Sequence, residues 1–199
     1  MSKVTVGATM SLDGYVAGPN ESGFDLLFRW YGNGDVVTPT ANPEMSFSTT
    51  AEDAEHLRSL MERLGCLVVG RHLYDLTNAW GGRHPLDVPC VVLTHNPPAD
   101  RPQADESFVF VTEGIEAAVA KASEIAGDKE VGLNSGTIAR QALEAGLIDE
   151  VHIDLVPVLL GAGTQYFGQF ENAPVTLVQE SARASEGVVH LTYSVTRQS

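Results

Sequence analysis

The chain has 199 residues, 43% hydrophobic and 19% charged, and a formal net charge of −14 at pH 7. This length and balance fit one folded domain over residues 1–199 and exclude a disordered or fibrous chain. So acidic a surface repels nucleic acid and anionic membranes, and no apolar run approaches the ~20 residues that cross a bilayer.

In chain order, Lys3 to Met10 reads as a strand, and it runs into a glycine-rich loop, Ser11-Leu12-Asp13-Gly14 through Gly18-Pro19-Asn20, whose glycines permit an irregular path beside a ligand. The sequence starts directly on that strand with no signal peptide. Residues 21–50 hold Trp30, Tyr31, Pro39 and Pro43 without periodicity, which predicts a long loop. A helix starts near Thr50, with Thr50 as cap and Asp53 three residues on. Leu57, Leu60, Met61 and Leu64 share one face, and Gly65 ends it. Cys66 to Val69 and Val88 to Thr94 are apolar on both faces, as strands in the middle of a helix-covered sheet are. Cys66 and Cys90 open or lie within these runs and read as buried, reduced thiols of a cytoplasmic protein.

Phe108 to Thr112 predicts a further strand, residues 115–125 a helix ended by Gly127, and Val131 to Leu133 a short strand leading to Asn134-Ser135-Gly136-Thr137 and another helix. Val151 to Leu160 reads as a long strand whose Pro157 implies an edge or a bulge. Val175 to Glu180 and Val188 to Thr196 form a hairpin around Glu186-Gly187. Alternating elements closed by a hairpin predict an α/β fold with a mostly parallel sheet and antiparallel strands at its end.

One stretch carries chemistry by itself. In Val68-Val69-Gly70-Arg71-His72-Leu73-Tyr74-Asp75 a strand ends on glycine, two potentially cationic side chains follow, and a helix begins. Unpaired N–H groups at a helix start and an adjacent guanidinium suit an anion. In a chain with 12 Lys and Arg, the grouping of Arg71, His72, Arg83, His84 and His95 strengthens that reading.

Four motifs then carry a family resemblance: Met10 to Gly18; Val69 to Tyr74; Val92-Leu93-Thr94-His95-Asn96-Pro97; and Glu144 to Glu150 leading to Pro157 through Thr164. Together they resemble the dihydrofolate reductase-like superfamily, and within it the C-terminal reductase domain of the bifunctional riboflavin-biosynthesis deaminase-reductase. The resemblance implies a three-layer dihydrofolate reductase-like fold, NADPH as cofactor and a homodimer, the last also suggested by the apolar strand Ile153 to Leu160. It places cofactor phosphate on Gly70, Arg71 and His72, the 2'-phosphate on Thr94 and His95, and pyrophosphate on Asn134, Ser135, Gly136 and Thr137. Two departures stand out. Histidine replaces the usual arginine at 95, and Asn134-Ser135-Gly136 replaces a double glycine, so that these residues read either as phosphate contacts or as helix caps. The His-x-Glu and Pro-Cys-x-x-Cys pattern of the zinc deaminase domain is absent, which excludes deamination and a zinc-thiolate site.

Within that frame Asp13 reads as a catalytic polar group near the nicotinamide or as a plain turn aspartate before Gly14. Asp53 reads as the acid that grips a pterin-like ring or as a helix-start carboxylate. Trp30, Tyr31 and Trp80 are expected to border the substrate. His56, His152 and His190 show no ligand spacing and read as structural or solvated, with no metal expected. The leading reading is NADPH-dependent reduction of a ribitylaminopyrimidine or pterin-like substrate. The alternative is a nucleotide-binding protein that keeps the scaffold without turnover.

Overall fold

The computed structural model describes residues 2–43, 45–99 and 107–196. It opens with β1 (Val4–Ser11), turns at Asp13-Gly14 and continues into the short strand β2 (Tyr15–Ala17). Residues 21–50, expected to be a loop, are largely folded. They form the helical turn α1 (Phe24–Leu27), a tighter turn at Arg29–Gly32, and a hairpin of β3 (Val36–Pro39) with β4 (Ser46–Thr49). Burial explains the difference: Leu27, Trp30 and Phe47 pack with Leu57, Val156 and Val188 in one apolar cluster. Elements of four residues are too short to hold themselves together and show little periodicity, so tertiary contact fixes them.

Helix α2 (Ala51–Arg63) begins at the predicted cap, the Thr50 hydroxyl accepting the Asp53 N–H at 3.2 Å. There follow β5 (Leu64–Gly70), α3 (Arg71–Leu76), β6 (Cys90–Leu93), β7 (Phe108–Val111), α4 (Ile115–Ala126), β8 (Glu130–Leu133) and α5 (Thr137–Glu144). The chain ends with β9 (Glu150–Val156), β10 (Thr164–Gln165) and the hairpin β11 (Leu177–Ser185) and β12 (Val188–Val195). Eight strands make one sheet in the order β11-β12-β9-β1-β8-β5-β6-β7. From β9 to β7 all neighbours are parallel, and the terminal hairpin adds two antiparallel strands beside β9.

β9 corrects one expectation. It stops at Val156, before Pro157, and lies inside the sheet between β1 and β12, because the proline ends the pairing by withholding an N–H and does not mark an edge. Its backbone is therefore not the surface a second subunit could cover. The free edges are β11 and β7.

Alternation along the strands sorts the layers. Cys66, Val68 and Val91 join Val6, Val131 and the apolar stripes of α4 and α5 in the main core. Their neighbours Val69, Cys90 and Val92 point the other way, packing with Leu73 and Tyr74 of α3 and with Trp80. At the β9 and β12 end, that second face carries Val156 and Val188 against Leu57 of α2. Helices thus cover both faces, the three-layer dihydrofolate reductase-like arrangement expected. Cys66 and Cys90 are free and buried, and burial pushes their thiols up to about 11 and 12.

Candidate active site

Because the central strands run parallel, the segments that follow Ser11, Gly70, Leu93, Leu133 and Val156 emerge along one edge of the sheet. Open α/β sheets bind ligands at such an edge. It collects Asp13, Gly70-Arg71-His72, Thr94-His95 and Asn134 to Thr137 from four separate parts of the sequence.

Gly70 caps α3 in an extended conformation, and the helix lasts only six residues. Arg71 is held in place: its Nε donates to the Asp75 carboxylate at 2.8 Å and its Nη1 to the Asn96 carbonyl, which ties α3 to the loop after β6. Thr94, buried, accepts the Asn96 N–H at 3.2 Å and shapes the same loop. His72 is exposed and paired with Glu21, and His95 is exposed.

The start of α5 bears on the cap reading of Asn134 and Ser135. Neither caps the helix; the cap position is Gly136, at φ +73°, with no side-chain hydrogen bond. The first helical bond is Arg140 N–H to the Gly136 carbonyl at 3.0 Å, so the N–H groups of Thr137, Ile138 and Ala139 have no backbone partner among the described residues. Gly136 itself donates to the Tyr166 carbonyl at 2.7 Å, which anchors the turn. An uncapped helix start with half-buried amide and hydroxyl side chains beside it has the donor set a dinucleotide phosphate needs.

Asp13 sits beside this edge with both carboxylate oxygens engaged. Oδ1 accepts the Ser11 hydroxyl at 2.6 Å and the Leu160 N–H at 3.1 Å, and Oδ2 accepts the Gly161 N–H at 2.7 Å. The Ser11 hydrogen bond, with those from Gly161 and Leu160, holds its carboxyl below the usual range. An ionised acceptor with its oxygens occupied has no proton to deliver, so this geometry favours the turn reading. The loop it holds closes tightly. At Gly163 (φ +131°) an added Cβ would lie 2.0 Å from the Ala17 carbonyl oxygen, so only glycine fits.

Below the edge, on the face covered by α2, lies a network the sequence did not disclose. Thr9, Asp154 and His190 are cross-strand neighbours on β1, β9 and β12. His190 has Asp154 Oδ1 at 2.6 Å from Nδ1 and Asp53 Oδ1 at 2.9 Å from Nε2. Asp53, fully buried, also accepts the Asn33 amide at 2.7 Å. His56, one turn along α2, stacks on His190 with ring centroids 3.9 Å apart and places Nε2 3.3 Å from Asp154 Oδ1. Burial opposes charge on His190, but hydrogen bonds to Asp154 and Asp53 outweigh it and raise its pKa. For Asp154 burial acts upward, and the bonds from His190 and His56 prevail and hold the carboxyl below the ordinary range. Asp53 is lowered in the same way, by Asn33 and His190 acting against burial. An imidazolium bridging two carboxylates satisfies all three groups. His56 and His190 are thus clustered although no ligand spacing along the chain announced it, and His190 takes the structural alternative of the expected reading. The one available signal was the i, i+3 spacing of Asp53 and His56, which puts both on one face of a helix.

The aromatic expectation also needs correcting. Trp30 is 2% exposed and donates from Nε1 to the Thr9 hydroxyl at 3.2 Å, and Tyr31 packs between Phe28, Phe47 and Trp30. Trp30 is a core residue beside the Asp53 network, and Tyr31, half-buried, packs against it. Trp80 belongs to a different cluster, against Phe108 and His84, so the three rings do not line a common surface.

The comparisons agree with this architecture. The RibD C-terminal domain family model matches residues 2–191. A candidate riboflavin biosynthesis protein from Shewanella sp. PV-4 superposes with a TM-score of 0.74 at 23% identity, covering 98% of this chain and 99% of that one. The diaminohydroxyphosphoribosylaminopyrimidine deaminase/5-amino-6-(5-phosphoribosylamino)uracil reductase of Thermotoga maritima gives 0.66 at 13% identity, over 98% of this chain and 57% of that chain. Dihydrofolate reductase from Enterococcus faecalis, complexed with NADP(H), gives 0.55 at 14% identity over 98% and 97%. With its matched length, strand order and helix-covered sheet, the chain belongs to the RibD C-terminal domain family.

Proposed function

We propose that this protein is an NADPH-dependent reductase of a small planar heterocycle, a ribitylaminopyrimidine or pterin-like ring. The observation that carries the reading is the uncapped start of α5 on the same sheet edge as the anchored Arg71 and the Thr94-His95 loop. In a chain of net charge −14, a highly charged dinucleotide needs such a concentration of donors. Gly70, Arg71 and His72 with Asn134 to Thr137 would hold the pyrophosphate, and Thr94 and His95 the adenosine-side phosphate. The Enterococcus reductase with NADP(H) and the Thermotoga uracil reductase support the cofactor and the substrate class respectively.

When bound, the nicotinamide supplies the hydride. The chain's own part is to position and to exclude water. Asp13 fixes the loop of Leu160 and Gly161 beside the edge, Trp30 and Tyr31 close the site from below, and Asp53 offers a carboxylate pinned in one orientation by Asn33 and His190. The test is NADPH absorbance in the presence of ribitylaminopyrimidines, dihydrofolate and simple carbonyl compounds. Turnover with one heterocycle is expected. Tight NADPH binding with no oxidation across the panel would replace this reading with the nucleotide-binding one, which the Asn134-Ser135 replacement favours.

The protein acts in the cytoplasm on this reading, in keeping with its two free, buried thiols. It pairs through the edge strand β11, where Leu177 and Val178 are 38% and 51% exposed. Sedimentation of wild type against Val178→Lys checks the pairing, with a dimer mass expected only for the former.

A further inference from the structure

We infer that His56, Asp154 and His190 form a site for one divalent first-row transition ion of the zinc type. The three come from α2, β9 and β12, and their ligand atoms all lie within 4.8 Å of one another. Ligands at ~2.0–2.1 Å from a tetrahedral ion stand roughly 3.4 Å apart. His56 Nε2 is 3.3 Å from Asp154 Oδ1, and the 2.6 Å between His190 Nδ1 and the same oxygen widens by less than an ångström when an ion replaces the proton now shared there. Two imidazoles and one carboxylate suit zinc, cobalt and nickel better than calcium or magnesium, which prefer all-oxygen sets.

The surroundings match a metal site beyond the ligands themselves. The far nitrogen of His190 meets Asp53 at 2.9 Å, and Asp53 is held in turn by Asn33 at 2.7 Å. A metal-ligating histidine needs such a carboxylate to fix its tautomer and orientation. Access is graded in the same direction: the Asp53 side chain is fully buried, whereas those of His56 and Asp154 are 16% and 19% exposed, so an ion can enter from their side and keep a fourth position for water. Charge agrees. Asp53 and Asp154 place two carboxylates at the site, and a divalent ion offsets both. The inference is independent of the nucleotide reading, and its test uses no NADPH.

The test is titration of the metal-free protein with Co²⁺, followed by visible absorption and calorimetry, and then displacement by Zn²⁺. One Co²⁺ per chain is expected, with the intense bands of a four- or five-coordinate site that Zn²⁺ abolishes. His56→Gln and Asp154→Asn should each lower the affinity at least tenfold, while His152→Ala, which removes a half-buried imidazole elsewhere on β9, should leave it unchanged. Circular dichroism establishes that each variant is folded. If one does not fold, the other and the wild-type stoichiometry decide. Absence of a one-to-one site in wild type, retention of full affinity in both folded ligand variants, or loss of the site in His152→Ala would each overturn the inference.

Discussion

The Asp53–His190–Asp154 network and the start of α5 place polar groups against the same sheet in opposite ways. In the first, the buried donors and acceptors find partners within the protein at 2.6 to 2.9 Å. At the second, the N–H groups of Thr137, Ile138 and Ala139 have no backbone partner among the described residues, and the half-buried Asn134 and Ser135 lie beside them. Groups that satisfy one another before any ligand arrives contribute to folding, and removing one strands the rest. Groups left open contribute to binding, and removing one leaves the fold intact. On the proposed reading, a strongly acidic chain keeps carboxylates inside and offers an anion its donors at the edge.

Two variants would break or sharpen this contrast most directly. Because His190→Ala leaves the fully buried Asp53 without its imidazole partner, and Asp154 with only His56, it should cost about 3 kcal/mol in urea unfolding. A loss below ~1 kcal/mol would show that the network is not self-completed. Arg71→Ala tests the edge, where the guanidinium is held by Asp75 and Asn96, and its effect is smaller.

Between them stands a third imidazole that serves as a reference. His84 is half-buried beside Trp80, accepts the Leu86 N–H at 3.2 Å, and is pushed down to about 4 by loss of solvent around its ring. Unfolded, it takes up a proton near its ordinary value of 6.5, while the folded chain resists until about 4. The unfolded state therefore binds more protons in that window. Stability should fall by up to about 3 kcal/mol as pH drops from 6.5 to 4 and level off below. Replacement by glutamine should flatten the profile across this range. An unchanged profile would mean that His84 charges as readily when folded as when unfolded.

Arg71→Ala should weaken NADPH binding by about 1.5–3 kcal/mol, roughly 10- to 150-fold by calorimetry, with little change in melting temperature. NADPH bound as tightly as in wild type would return this motif to an ordinary turn. The smallest effect is expected at Thr50→Ala. Loss of the cap on α2 should cost about 1 kcal/mol and loosen Asp53 one turn later, and hydrogen exchange at the start of α2 would report it.

Much of the fold was legible in the sequence because its signals are local. Thr50 as a cap, the doubly apolar strands β5 and β6, and the glycine after α4 are read from a few adjacent residues. The hairpin of β3 and β4 was not legible, since four-residue strands held by Trp30 and Phe47 owe their shape to distant contacts. Gly70 and Arg71 stood out as a strand ending on glycine before a helix, whereas Asn134 to Thr137 were singled out only through the family resemblance; that they share one edge follows from the parallel strand ends. The His56, Asp154 and His190 cluster was not, because its members are brought together only by the register of β9 with β12 and the way α2 lies on that face. No spacing along the chain encodes that meeting.

The carboxylate of Asp13 reaches across 147 and 148 positions of sequence to the amides of Leu160 and Gly161. It therefore works as a latch between the two loops: neither segment can swing outward without breaking the same two bonds. Entry and exit of a ligand on this side become a single cooperative opening in place of two independent flutters. Hydrogen exchange at the amides of Leu160 and Gly161 would report its rate.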